Sequence, residues 1–79
     1  MAFAKTEQEW AERAARHLKA ELKRADMTYD DLAEKLKKHG FVESKASIAN
    51  KLARATVPAA FFLASLAAIG CDAVNLEDI

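Results

Sequence analysis

Between Ala55 and Cys71 the chain carries no charged residue for 17 positions, although charged residues make up 30% of the whole. The centre of this run is Val57 to Gly70, and Ser65 is its only polar side chain. A helix that is apolar nearly all round is normally buried on most sides. The run is Ala-rich and holds Pro58 and Gly70, and it falls short of the roughly 20 strongly apolar residues that span a bilayer. It therefore predicts a central core helix over residues 57–69, not a membrane segment. A partner-binding helix is the other reading of the same run.

At 79 residues the chain is one small domain, residues 1–79. A core of this size is marginal, so close helix packing or oligomerisation is expected. Cys71 is the single cysteine, which excludes an internal disulfide and a Cys-rich zinc site. It follows a helix C-terminus and precedes Asp72, and both disfavour a thiolate, so it reads as an inert small hydrophobe. No basic-then-apolar leader opens the sequence, so the expected location is the cytoplasm. Two Gly, one Pro and abundant Ala, Leu, Lys and Glu predict an all-α chain.

The remaining segments read as amphipathic helices. After a frayed lead, Met1 to Lys5, with Phe3 able to dock, Thr6 caps a first helix over about 6–25, with Glu9 completing a capping box. Trp10, Ala11, Ala14, Ala15, Leu18, Leu22 and Ala25 form its apolar face. Thr28 caps a second helix over about 28–39, with Asp31 at its third position and Tyr29, Leu32, Ala33 and Leu36 as its stripe. Gly40 supplies a left-handed stop, and Phe41 can fold back onto the helix. Ser44 caps a third helix over about 44–55. Ile48, Ala49, Leu52 and Ala53 point inward, and Ser47, Asn50, Lys51 and Arg54 point outward together. Thr56 can cap the core helix, with Pro58 in its first turn. The tail, 71–79, is a short extended arm packing back or a strand-like dimer contact.

Net charge is zero, which argues against a generic polyanion binder, but the charges are blocked along the chain. Residues 26–34 hold Asp26, Asp30, Asp31 and Glu34. Residues 35–54 hold six cations against Glu43 alone. Such asymmetry points to an oriented basic face, and equally to the solvated side of ordinary helices. No Gly-rich phosphate loop and no nucleophile–base pairing occurs, and His17 has no second His at metal spacing. Neither an enzyme nor a metal or cofactor site is expected.

The runs T-Y-D-D-L-A-E-K-L from Thr28, S-K-A-S-I-A-N-K-L-A-R-A-T from Ser44 and P-A-A-F-F-L-A-S-L-A-A-I-G from Pro58 together resemble the lambda-repressor-like helix-turn-helix family. The likeness covers residues 10–70. Within it, Trp10, Leu18-Lys19, Asn50-Lys51 with Arg54, and Ala60 to Leu63 resemble a family of small bacterial domains of uncharacterised role. The turn over Lys37–Glu43 is longer than the family's, and Ala55 stands where the family has Gly. Asp30 and Asp31 occupy a helix start that the wider family keeps neutral near a phosphate.

The resemblance implies a compact four- to five-helix bundle and a DNA-binding transcriptional regulator whose third helix enters the major groove of double-stranded DNA. By that likeness Ser47, Asn50 and Lys51 would read bases, and Lys37, Lys38, Lys45 and Arg54 would contact phosphates. A homodimer through the tail or the apolar helix would supply two half-sites. Replacing Asn50 and Lys51 together by Ala would then leave folding intact and abolish specific binding. The competing reading is a protein-interaction or oligomerisation module of the same fold without DNA.

Overall fold

The computed structural model describes residues 3–79, so the expectation for Met1 and Ala2 lies outside the described residues. Among the described residues four α-helices follow one another: α1 (Glu7–Arg24), α2 (Tyr29–Leu36), α3 (Lys45–Ala53) and α4 (Ala59–Ile69). Short 3-10 turns occupy Lys37–His39 and Leu76–Asp78, and no strand is present among the described residues. The chain is a small all-α bundle, as its composition and periodicity predict. No helix among the described residues is long and apolar enough to cross a membrane.

Side chains beside the first three helices set their starts. The Thr6 hydroxyl accepts the Glu9 N–H at 3.1 Å. The Glu9 carboxylate reaches one residue further back than a capping box requires and accepts the Lys5 N–H at 3.4 Å. Thr28 and Asp31 do form the reciprocal box, at 2.9 and 3.1 Å. The N–H and hydroxyl of Thr28 hold the Asp31 carboxyl below its ordinary pKa. Ser44 and Ser47 form a second box at the start of α3, at 2.9 and 3.0 Å.

All four helices stop in one way. A left-handed residue closes each, for α2 after its 3-10 extension (Asp26, Gly40, Ala55 and Gly70, with φ of 56°, 84°, 55° and 102°). The next N–H then reaches back to a carbonyl in the last turn: Met27 to Leu22, Phe41 to Leu36, Thr56 to Lys51 and Cys71 to Leu66, at 2.9–3.1 Å. Gly adopts this conformation freely, and Asp tolerates it. Ala55 does not, because its Cβ crowds the backbone at a cost of about 1–2 kcal/mol. Ala55→Gly is therefore expected to raise stability by about 0.5–1 kcal/mol net of the entropy glycine adds to the unfolded chain. A thermal melt should move up by about 2–8 °C; an unchanged or lower midpoint would contradict the strain.

This stop also corrects the entry to α4. Thr56 closes α3 instead of capping α4, and Pro58 itself occupies the cap position with no side-chain hydrogen bond. Pro58 disfavours a helical Val57, so the helix begins at Ala59. The tail packs back onto the bundle and ends in a turn. Val74 packs against the core, and Asn75 caps the turn Leu76–Asp78 by accepting the Glu77 N–H at 3.0 Å.

The core gathers Leu18 and Leu22 from α1, Leu32 and Leu36 from α2, Ile48 and Leu52 from α3, and Phe61 and Leu66 from α4. Phe41 folds back as expected and meets Phe61 edge-on, with centroids 6.3 Å apart. α4 is less enclosed than an all-apolar helix predicts. It buries Phe61, Ser65 and Leu66, and leaves Ala59, Ala60, Leu63 and Ala67 exposed, Leu63 at 64%. α4 packs against α1 and α2, and two neighbouring helices leave its remaining side open. Ser65 is fully buried, and its hydroxyl has no hydrogen-bond partner among the described residues. At the other end, Trp10 is 39% exposed and stacks on Phe3 at 6.1 Å.

Candidate nucleic-acid interface

Which face α3 shows to solvent follows from its packing. Ile48 and Leu52, four apart, are buried in the core, where α3 packs against α2 and α1. The directly opposite line, Ala46, Asn50, Ala53 and Arg54, is exposed. Ser47 and Lys51 lie on the flank between and are half-buried. The expected outward stripe of Ser47, Asn50, Lys51 and Arg54 is thus rotated in the folded chain. Ala53, expected inside, faces solvent, and Ser47 and Lys51 turn toward the protein.

Glu43 holds the two flank residues, Ser47 and Lys51. Its side chain is only 11% exposed, and it engages both residues. The Ser47 hydroxyl donates to Glu43 Oε1 at 2.6 Å, and the Lys51 ammonium donates to both carboxylate oxygens at 2.9 and 3.0 Å. Lys51 Nζ also sits 5.3 Å from the Phe61 ring centroid, within reach of its negative face. Burial opposes ionisation of Glu43. The hydrogen bonds from Ser47 and Lys51 and the Lys51 charge outweigh it, so the carboxyl stays below its ordinary pKa. This pair is a joint between the loop before α3, α3 itself and the core.

The other expected cations divide. Lys37 is exposed and pairs with Glu34 of α2 at 3.0 Å. Lys38 lines a shallow hollow with Asp31, Glu34 and Lys35, among the carboxylates of α2. Lys45 is exposed at the start of α3. Arg54 borders a cleft of about 290 Å³ between α1 and the end of α3, and Arg16 and Lys19 of α1 border the same cleft. Glu12 also reaches it and accepts a hydrogen bond from Gln8 at 3.2 Å. Arg16 and Lys19 were not singled out from sequence, where they read as the charged side of an amphipathic helix. Their i, i+3 spacing put them on one face, but only the packing of α1 against α3 brings Arg54 to them.

A larger groove, about 720 Å³, lies elsewhere, between the second half of α1 and the tail. It contains Arg13, Arg16 and Arg24 facing Glu21, Asp72 and Asp78. Cys71 opens into it and donates to Glu21 Oε2 at 3.1 Å. That hydrogen bond, with partial burial and the neighbouring carboxylates, pushes the thiol pKa up. Cys71 is held protonated and is a poor nucleophile, in line with the sequence reading. No group of His, Cys, Asp and Glu among the described residues is arranged to hold a metal ion.

These features define a small all-α domain with one polar, partly cationic helix face beside an uncharged apolar helix. The chain belongs to a family described as a domain of unknown function, DUF6471, whose model matches residues 10–74. The match takes in α1 from Trp10 onward and the whole of α2, α3 and α4. No curated protein and no solved structure matches the chain.

Proposed function

We propose that the domain binds double-stranded DNA, with α2 and α3 acting as a helix-turn-helix and α3 lying in the major groove, in the manner of a transcriptional regulator. The observation that carries this reading is the cleft beside α3. Three cations, Arg16 and Lys19 of α1 and Arg54 just past the end of α3, border one cleft at the edge of the exposed line Ala46–Asn50–Ala53. Glu12 borders the same cleft and offsets one of these charges, and the remaining positive excess suits a DNA phosphate. Contacts of this kind fix register, and the adjoining helix face then meets the bases. Zero net charge implies weak non-specific affinity, so two half-sites on a dimer would be needed for tight binding.

An NMR titration of the labelled domain with short duplex DNA tests the reading. Amides of Ala46–Arg54 and of Arg16–Lys19 are expected to shift together, and less at higher salt. Combined charge reversal, Arg16→Glu with Arg54→Glu, should remove the shifts. An unperturbed spectrum at low salt would overturn the proposal.

A second reading, a protein-interaction module, draws on the exposed uncharged face of α4 around Leu63. It predicts that α4 amides, not those of α3, respond when protein concentration is raised.

A further inference from the structure

Resting on the DNA-binding reading, we infer that α3 selects an A·T core, with Asn50 reading an adenine and the methyl groups of Ala46 and Ala53 packing on neighbouring thymines. The middle of the exposed line carries Asn50 between two alanines, with Arg54 at its end beside the cleft. The Asn amide carries a donor and an acceptor side by side, which match the adenine N7 acceptor and N6 donor. An Ala methyl offers no hydrogen bond and fits the C5-methyl of thymine.

Position along the helix supports the same set. Ala46, Asn50 and Ala53 are four and three residues apart, so they rise by about 6 and 4.5 Å along one side of the helix. Base pairs are stacked about 3.4 Å apart, so the three side chains can cover roughly three successive steps.

Guanine is read mainly by Arg or Lys donating to O6 and N7. Lys51 is withdrawn from that role, because its ammonium is held by both oxygens of Glu43 and lies over Phe61. Arg54 shares its cleft with Arg16 and Lys19, where a phosphate serves all three. What remains in the middle of the face has no long cationic donor for a G·C pair.

The test is selection of binding duplexes from a randomised pool by the intact domain. Affinity is then measured for the enriched duplex with deoxyuridine replacing each thymidine, which removes only the C5-methyl. We expect an A·T core, a loss of about 3- to 10-fold for the sensitive thymidines, and loss of the adenine preference in Asn50→Ala. Arg54→Ala should instead weaken all duplexes alike and lower the salt slope by about one. A G·C core, or full affinity with deoxyuridine throughout, overturns this inference while DNA binding stands. No enrichment and no binding at low salt overturns both. Asn50 is exposed, so the variant's circular dichroism should match the parent, and altered folding would itself contradict the placement of that side chain.

Discussion

Phe61→Ala is expected to leave the domain largely unfolded at room temperature or close to it. Phe61 is 1% exposed, meets Phe41 edge-on and lies beneath the Lys51 ammonium. Removing a buried Phe side chain costs about 3–5 kcal/mol, because the lost burial is compounded by the cavity it leaves. A chain of this length has a total stability of roughly 4–12 kcal/mol, so one substitution can consume most of it. The aromatic contact and the overlying cation each add a further part, about 0.5–1.5 and 0.5–1 kcal/mol. Thermal and urea denaturation followed by circular dichroism would measure the loss. A midpoint within a few degrees of the parent would show that Phe61 is not the keystone of the core. Phe61→Leu retains apolar volume and should fall between the two.

The second large effect is expected at Lys51, and it separates a structural from a base-reading role. Lys51→Met keeps the aliphatic stem and removes the ammonium, leaving Glu43 with Ser47 as its remaining side-chain partner. Leaving a mostly buried carboxylate without its cation is expected to cost about 1–3 kcal/mol, with no DNA present. The double variant Glu43→Gln, Lys51→Met should recover part of that loss, since no unpaired charge remains. This revises the expectation that replacing Asn50 and Lys51 together would spare folding: the Asn50 change should, and the Lys51 change should not. A Lys51→Met protein as stable as the parent would refute the joint.

The same pair sets a dependence on acid. The folded pKa of Glu43 lies below its unfolded value. Its ionised form therefore contributes stability that is fully present above the unfolded pKa. That contribution is lost as pH falls through the folded pKa. Lys51→Met removes two of the causes of the depression, so the gap in stability between parent and variant should narrow on acidification. A gap that stayed constant to pH 3 would assign the stabilisation to something other than the carboxylate.

Local chemistry made much of the fold legible in the sequence. The Thr28–Asp31 box, the Ser44 cap, the stop at Gly40 with the return of Phe41, and the alternation of apolar residues at helical spacing each depend on residues within about five positions of one another. Even the odd residue in the pattern, Ala55 where the resembled family has Gly, marked a left-handed position that the structure shows at φ 55°. A closer reading of the sequence could also have paired Ser44 with Ser47 by their three-residue spacing. It could have asked why Glu43 is the one anion among six cations.

Tertiary packing decided what those rules do not reach. α3 turns its Ile48–Leu52 side into the core, and the mostly buried Glu43 side chain holds Ser47 and Lys51 on the flank. The solvent face is then Ala46, Asn50, Ala53 and Arg54, a rotation that depends on a bond eight residues long and on the position of Phe61. The meeting of Arg54 with Arg16 and Lys19, and the opening of α4 at Leu63, depend on which helix lies against which. Periodicity names the apolar side of each helix, but several rotations satisfy it. Only the simultaneous packing of all four helices, with every buried charge paired, selects one.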